Sequence, residues 1–271
     1  MVIINGLSKR FGNRMALDSV SMEIDKGIYG LLGPNGSGKT TLIRCLAGVM
    51  KQTSGTISCP ENIGYLPQKF GMFKELTVFE SMEYFCALKK IPKEGQRAAI
   101  LDCLEHVRLA DRAKDKVGSL SGGMVRRLGI AQTMLGDPEL ILVDEPTAGL
   151  DPEERLRFKN LMRTAFREKT VIISTHIVED VESICNNIII LDQGKILAQC
   201  HTGELREQAN GRVFSVPASN QSLLVEPYYI VREELGQDDN VLRVLSAVTQ
   251  PGALAEPTIE DGYMLHIRRM L

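Results

Sequence analysis

Short aliphatic runs and longer stretches with helical spacing take turns along this chain. Apolar runs at 2–4, 20–24 and 28–32 read as strands, and those at 56–57 and 63–66 add two more around Gly55 and Pro60. From about 70 to 135 the pattern turns helical. Thr77-Val78-Phe79-Glu80 has the form of a capping box, Thr bonding forward and Glu reaching back, and predicts a helix to about Leu88. A second helical stretch covers 94–107. Strand and helix then alternate again. Residues 140–143 make a buried-strand run, and Asp151-Pro152-Glu153-Glu154 is a helix start with a capping Asp and acids at the positive dipole end. Phe158, Leu161, Met162, Ala165 and Phe166 then share one helical face. Runs at 171–174 and 188–191 are further strands. This alternation predicts an α/β fold, a mostly parallel sheet covered on both sides, with an α-rich block inserted at about 70–135.

After 209–211 the texture changes. Short apolar stretches near 213–216, 228–231, 241–248 and 263–267 are divided by acidic and Pro/Gly segments. The expected division is a main domain over 1–210 and a small α+β unit over 211–271. Its 61 residues are too few for a large core, so it should lean on the main domain or a partner.

Composition removes several classes. Of the 271 residues, 44% are hydrophobic and 24% charged, as in ordinary soluble globular proteins. The net charge is −2; segment 211–271 holds eight acidic and five basic residues, which leaves +1 on the rest. Neither part has the basic excess of a nucleic-acid binder, so no nucleic-acid partner is expected. Six scattered cysteines without a C-x-x-C pair read as incidental thiols of a reduced cytosolic protein. No apolar run approaches the ~20 residues that cross a bilayer. The opening MVIINGLSKR lacks the apolar core of a secretory leader, so none is expected.

The chemistry concentrates in a few places. Gly33-Pro34-Asn35-Gly36-Ser37-Gly38-Lys39-Thr40 matches G-x-x-x-x-G-K-[ST], and it follows the 28–32 strand and precedes the apolar helix at 42–47. The glycines let backbone N–H groups curl around phosphate oxygens, Lys39 neutralises β/γ charge, and the Thr40 hydroxyl suits Mg²⁺. The 140–143 run ends in Asp144-Glu145, where ligands of open α/β sheets bind. Asp144 suits Mg²⁺ and Glu145 the water attacking a γ-phosphate, although such a pair alone also reads as a helix cap. Leu120-Ser121-Gly122-Gly123-Met124 looks like a second helix start with bare N–H groups, which attracts anions. His176 and Gln68 by themselves read as ordinary polar residues at strand ends. Phe11 reads as a core aromatic or as a flat surface for a base.

In order, the chain carries Phe11, the phosphate loop, Gln68, LSGGM, VDEP, the AGLD stretch at 148–151 and His176. Over roughly 1–210 this resembles the nucleotide-binding subunit of an ATP-binding-cassette (ABC) transporter. The resemblance implies a P-loop NTPase cassette: a mixed sheet core, an antiparallel β subdomain and an inserted α-helical subdomain, with the C-terminal α+β unit as an appendage. It implies that Asn35, Gly36, Ser37, Gly38, Lys39, Thr40 and Thr41 hold ATP while Phe11 stacks on adenine. Thr40, Gln68 and Asp144 would hold Mg²⁺. Glu145 would be the catalytic base and His176 the switch histidine on the γ-phosphate. Gln68 would sense Mg²⁺ and γ-phosphate, and Asp151 would link two halves of a dimer. Met124 departs from the family, where many members have Gln, which puts a contact near the nucleotide sugar in doubt.

The second anion site then acquires a purpose. One nucleotide saturates its own loop, so Ser121, Gly122 and Gly123 are expected to close over the ATP of a second copy in a two-fold homodimer. The resemblance further implies a separate polytopic membrane permease and a cytoplasmic position on the inner face of the cell membrane. The apolar stretch around Phe70, Met72 and Phe73 suits a docked permease helix, or else simple packing between subdomains. Glu256-Pro257-Thr258-Ile259-Glu260-Asp261 with Tyr263 resembles the end of multidrug and peptide exporter ATPases, which favours export. By its residues alone that stretch reads as a capped turn before a last strand. Two rival readings remain: a soluble ABC ATPase acting on a macromolecule, and a module that binds ATP without cleaving it. Intact Glu145 and His176 argue against the second.

Overall fold

The computed structural model describes every residue except Ala148, Arg167, Gln237, Asp238 and Leu271. Strands β1 (Val2–Phe11) and β2 (Arg14–Ile24) form a long hairpin, longer than the expected runs because its alternating pattern hides polar positions on the solvent face. Strand β3 (Gly27–Leu32) leads into helix α1 (Lys39–Leu46). Strands β4 (Ser54–Ser58) and β5 (Ile63–Leu66) follow. Helices α2 (Val78–Leu88), α3 (Gln96–His106) and α4 (Gly122–Met134) form the inserted helical part. The Thr77–Glu80 capping box opens α2, with Thr77 N–H 2.7 Å from the Glu80 carboxylate.

The chain then runs through β6 (Leu140–Asp144), α5 (Pro152–Ala165), β7 (Thr170–Thr175), α6 (Val178–Ile184), β8 (Asn187–Asp192), β9 (Lys195–His201) and α7 (Thr202–Glu207). A central sheet has the order β5-β6-β7-β3-β8-β9, parallel except for its last pair. A three-stranded antiparallel sheet, β2-β1-β4, lies beside it. The mixed sheet, antiparallel part and helical insert are the cassette fold expected from the sequence.

Alternate strand residues face opposite sides of the central sheet, so two cores form. Ile28, Ile141, Val143, Ile173 and Ile190 pack on one side with α2 to α6. Leu31, Leu140, Leu142, Ile172 and Ile189 pack on the other with α1 and the β1–β2 hairpin. Strands β6 and β7 are buried along their whole length, as expected of central parallel strands. Their register sets Leu32 beside Thr175 and Asp144 beside Ser174, so three strands end at one edge.

Beyond Asn210 the chain builds an antiparallel sheet from β10 (Val213–Pro217), β11 (Tyr228–Glu234), β12 (Val241–Ser246) and β13 (Ala253–Leu254), in the order β11-β12-β10-β13. It ends in helix α8 (Ile259–Ile267). The 263–267 stretch is therefore helical, not a last strand. Thr258 caps α8 and Asp261 reaches back to the Thr258 N–H at 2.7 Å, while Ile259 and Tyr263 enter the main core. Arg243 donates to the fully buried Asp261 at 2.6 Å, which anchors the helix to the small sheet. Gly262 lets α8 approach α7: an added Cβ would lie 2.0 Å from the Leu205 carbonyl oxygen. Among the described residues, no helix is long and apolar enough to cross a membrane. The six cysteines are free thiols.

Candidate nucleotide site

The phosphate loop is shaped by two close approaches. A Cβ on Gly33 would lie 2.1 Å from the Leu191 carbonyl oxygen, and one on Gly38 would lie 2.5 Å from that of Ala16. Gly38 also has φ 113°, a conformation L side chains rarely adopt. Lys39 begins α1 and is 5% exposed. Its Nζ donates to the carbonyls of Gly33 at 2.7 Å and Pro34 at 3.0 Å, and lies 3.9 Å from Glu145 Oε1. Burial pulls the ammonium below the ordinary lysine value, opposed by Glu145 and Asp144. The first turn of α1 carries no acidic residue, which leaves its positive dipole end open to an anion.

A cavity of about 450 Å³ opens over this loop, within the range of small-ligand pockets. Asn35, Gly36, Gly38, Lys39, Thr40 and Thr41 line its floor, and Phe11, Gln68 and Glu145 line its sides. Phe11 is 46% exposed, a large flat ring left facing solvent. Ser37 is tucked beneath the loop, its buried Oγ without a hydrogen-bond partner among the described residues. The sequence reading missed Arg14 and Ala16, which also line the cavity. Arg14 follows the Gly12-Asn13 hairpin turn, which gives no local signal of a ligand contact.

At the end of β6, Asp144 is 1% exposed. Its Oδ1 accepts from Ser174 Oγ at 2.6 Å and Thr40 Oγ1 at 3.1 Å, whereas Oδ2 is buried and unpartnered among the described residues. An orphaned carboxylate oxygen beside a hydroxyl is a fitting donor set for a hard cation. Among the described residues no group of three or more His, Cys, Asp or Glu could hold a metal.

Glu145 has φ 44°, a conformation costing about 1–3 kcal/mol for a residue with a side chain. Its N–H donates to the main-chain oxygen and Oγ of Ser174, at 3.1 and 2.9 Å. Its carbonyl accepts from Arg126 of α4. The carboxylate thereby meets three predicted side chains: Lys39, the Gln68 amide at 3.3 Å and His176 Nδ1 at 3.4 Å. Sequence reasoning missed Ser174 and Arg126. The one hint for Ser174 is a hydroxyl within an otherwise aliphatic buried strand.

Ser121, Gly122, Gly123 and Asp151 do not line the cavity; nor do Ser37, Asp144 and His176, but Asp144 touches Thr40 and His176 touches Glu145, which do. Ser121 caps α4 by accepting from the Met124 N–H at 3.3 Å, and Asp151 caps α5 by accepting from the Glu154 N–H at 2.8 Å. The two helix starts touch: a Cβ on Gly123 would lie 2.1 Å from Glu154 Oε2. Met124 packs partly buried against the main core, so its side chain serves the fold. Ala148, in the AGLD stretch, lies outside the described residues.

A glycine-rich loop on a strand end, an acidic strand end beside it and an inserted helical block define a P-loop ATPase of the cassette type. Comparison with known proteins agrees. The family described as ABC transporter matches residues 17–148. The Nod factor export ATP-binding protein I of Burkholderia orbicola (strain AU 1054) is 36% identical over 207 residues, covering 71% of this chain and 68% of that protein. The bacitracin transport ATP-binding protein BcrA of Bacillus licheniformis is 33% identical, covering 94% and 88%. Among solved structures, the dimeric MJ0796, a bacterial ABC transporter cassette, aligns with a TM-score of 0.65 at 26% identity, covering 74% of this chain and 98% of that one. The same cassette in a post-hydrolysis state with ADP and Pi gives 0.64 over the same coverage. The chain belongs to the ABC transporter family. It is an ATP-binding and ATP-hydrolysing transporter subunit.

Proposed function

We propose that two copies of this chain close about a two-fold axis around two ATP molecules, and that this closure drives a separate membrane permease, in the direction of export. The observation that carries it is the split of the predicted site. The phosphate loop, Gln68 and Glu145 line one cavity and His176 reaches Glu145 beside it, while Ser121, Gly122 and Gly123, which do not line it, open a second helix start. The first N–H groups of α4 have no intrahelical acceptor, so they suit the γ-phosphate of a partner's nucleotide. That MJ0796 is dimeric in its solved structure supports the arrangement.

In this reading Phe11 stacks on adenine, and Arg14 joins Lys39 as a cation facing the phosphates. Lys39 exchanges the carbonyls of Gly33 and Pro34 for β/γ oxygens, a stronger charge-assisted contact. Thr40, Asp144 and Gln68 would hold Mg²⁺, which would neutralise phosphate charge. Glu145 takes a proton from the attacking water, the bond to the β–γ bridging oxygen breaks, and ADP and phosphate form. His176, 3.4 Å from Glu145, steadies the γ-phosphate.

The chain divides in this account into a cassette over 1–210, with its helical part at about 70–135, and an accessory unit over 211–271 tied back through α8. The permease docks beside the helical part. Phe70 and Met72 pack against the core, but Phe73 is 53% exposed and meets the ring of exposed Tyr84 edge-on at 5.2 Å. Export follows the relatives named for Nod factor export, and the subunit sits on the cytoplasmic face of the membrane, where ATP is found. Size measurement of Glu145→Gln tests the closure: with ATP and Mg²⁺ it should elute as a dimer and release no phosphate. A monomer under saturating ATP contradicts the proposal.

A further inference from the structure

Glu145 keeps its left-handed backbone because it is gripped on both sides. Ser174 takes its N–H on the β7 side. On the other side one guanidinium grips two successive peptide groups: Arg126 Nη2 donates to the Glu145 carbonyl at 2.6 Å, and Nε donates to the Pro146 carbonyl at 2.5 Å. The planar fork of Arg fixes both carbonyls at once, which the point charge of a Lys cannot do.

The same guanidinium reaches two other parts of the machine. It belongs to α4, so it travels with the Ser121-Gly122-Gly123 helix start. It also lies over the Phe70 ring, 5.8 Å from the centroid. That ring packs so tightly on α4 that a Cβ on Gly129 would come within 2.8 Å of it. Phe70 stands two residues past Gln68, whose amide touches the Glu145 carboxylate. Arg126 does not line the cavity over the phosphate loop.

We propose that Arg126 is a positioning residue for ATP cleavage: its fork sets the backbone that aims the Glu145 carboxylate, and its seat on Phe70 and α4 makes that aim depend on both. The proposal rests on Glu145 being the base. ATP binding and ATP cleavage then separate. A shift of α4 or of the segment after Gln68 slows turnover while the loop at 33–41 keeps its nucleotide.

The test is steady-state ATPase of the purified protein with Arg126→Met, Arg126→Lys and Arg126→Ala, beside Glu145→Gln. Arg126→Met keeps the stem on Phe70 and removes both donors, so kcat should fall about 10- to 100-fold, the cost of misaiming a reacting group by about 1 Å. KM and the affinity for a fluorescent ATP analogue should stay within about twofold, because the phosphate contacts are untouched. Arg126→Lys should recover part of kcat, and millimolar guanidinium should raise the kcat of Arg126→Ala. An unchanged kcat in Arg126→Met, or a joint fall of kcat, affinity and melting temperature, overturns the proposal while a dead Glu145→Gln leaves the base assignment standing. If Glu145→Gln cleaves ATP at the parental rate, the base assignment itself falls and the proposal with it. Should Arg126→Met not fold, Arg126→Lys decides: lowered kcat at parental KM and melting temperature supports the role, and parental kcat removes it.

Discussion

Asp180→Asn offers a quantitative check on how the sheet edge that carries Glu145 and His176 is braced. Asp180 is 2% exposed on α6, one turn after His176. Its Oδ1 pairs with Arg155 Nη2 at 2.7 Å and Lys159 at 3.2 Å, and its Oδ2 accepts from Thr147 Oγ1 at 2.5 Å. The carboxylate thus ties α5, the segment after Glu145 and the helix after His176 together. Burial alone would raise its pKa, but the Arg155, Thr147 and Lys159 donors outweigh it and hold the carboxyl below the ordinary range. Removing one partner of a buried ion pair costs about 3–5 kcal/mol. Arg155 and Lys159 are 29% and 17% exposed and can turn to solvent, so the lower end applies, about 3 kcal/mol. At about 2–4 °C per kcal/mol for a chain of this size, melting should drop by about 6–12 °C at neutral pH. The folded pKa lies below the unfolded value of about 3.9, so the contribution is full above that value and fades as pH falls through the folded pKa. Thermal melts followed by circular dichroism from neutral to acid pH should show a gap that closes only below about pH 4. A neutral-pH gap under about 2 °C, or one that persists unchanged in acid, refutes the reasoning.

Gly33→Ala forces a Cβ against the Leu191 carbonyl at 2.1 Å and should abolish binding of a fluorescent ATP analogue; retained affinity would show that the loop tolerates a shift. Phe73→Asp alters an exposed ring and should leave basal ATPase unchanged while uncoupling transport in reconstituted vesicles; a fall in both assigns the ring to the fold.

Much of the candidate nucleotide site was legible because it is written in contiguous stretches. The phosphate loop, Asp144-Glu145 and His176 each follow a recognisable strand, and the parallel register brings those strand ends to one edge. Gln68 and His176, ordinary polar residues at strand ends by themselves, were legible as site residues only through the order of motifs. What escaped was tertiary. Arg14 reaches the cavity across a hairpin, and Arg126 touches carbonyls 19 and 20 positions away. Asp180 gains its partners from another helix. The tail misled locally: the apolar run 263–267 suits a strand by composition, but the Thr258–Asp261 capping box and the Arg243 anchor make it a helix.

The composite site is tested most directly by mixing two disabled copies. One carries Lys39→Ala; the other carries Gly122→Asp, an exposed position with no atom within 4 Å of an added Cβ, so a carboxylate fits there but repels phosphate. If each ATP lies between one copy's loop and the other's helix start, half the dimers are mixed and hold one intact centre. Activity should then return to about a quarter of the parental rate, although each copy alone is inert. If each chain cleaves ATP unaided, the mixture stays as dead as its components.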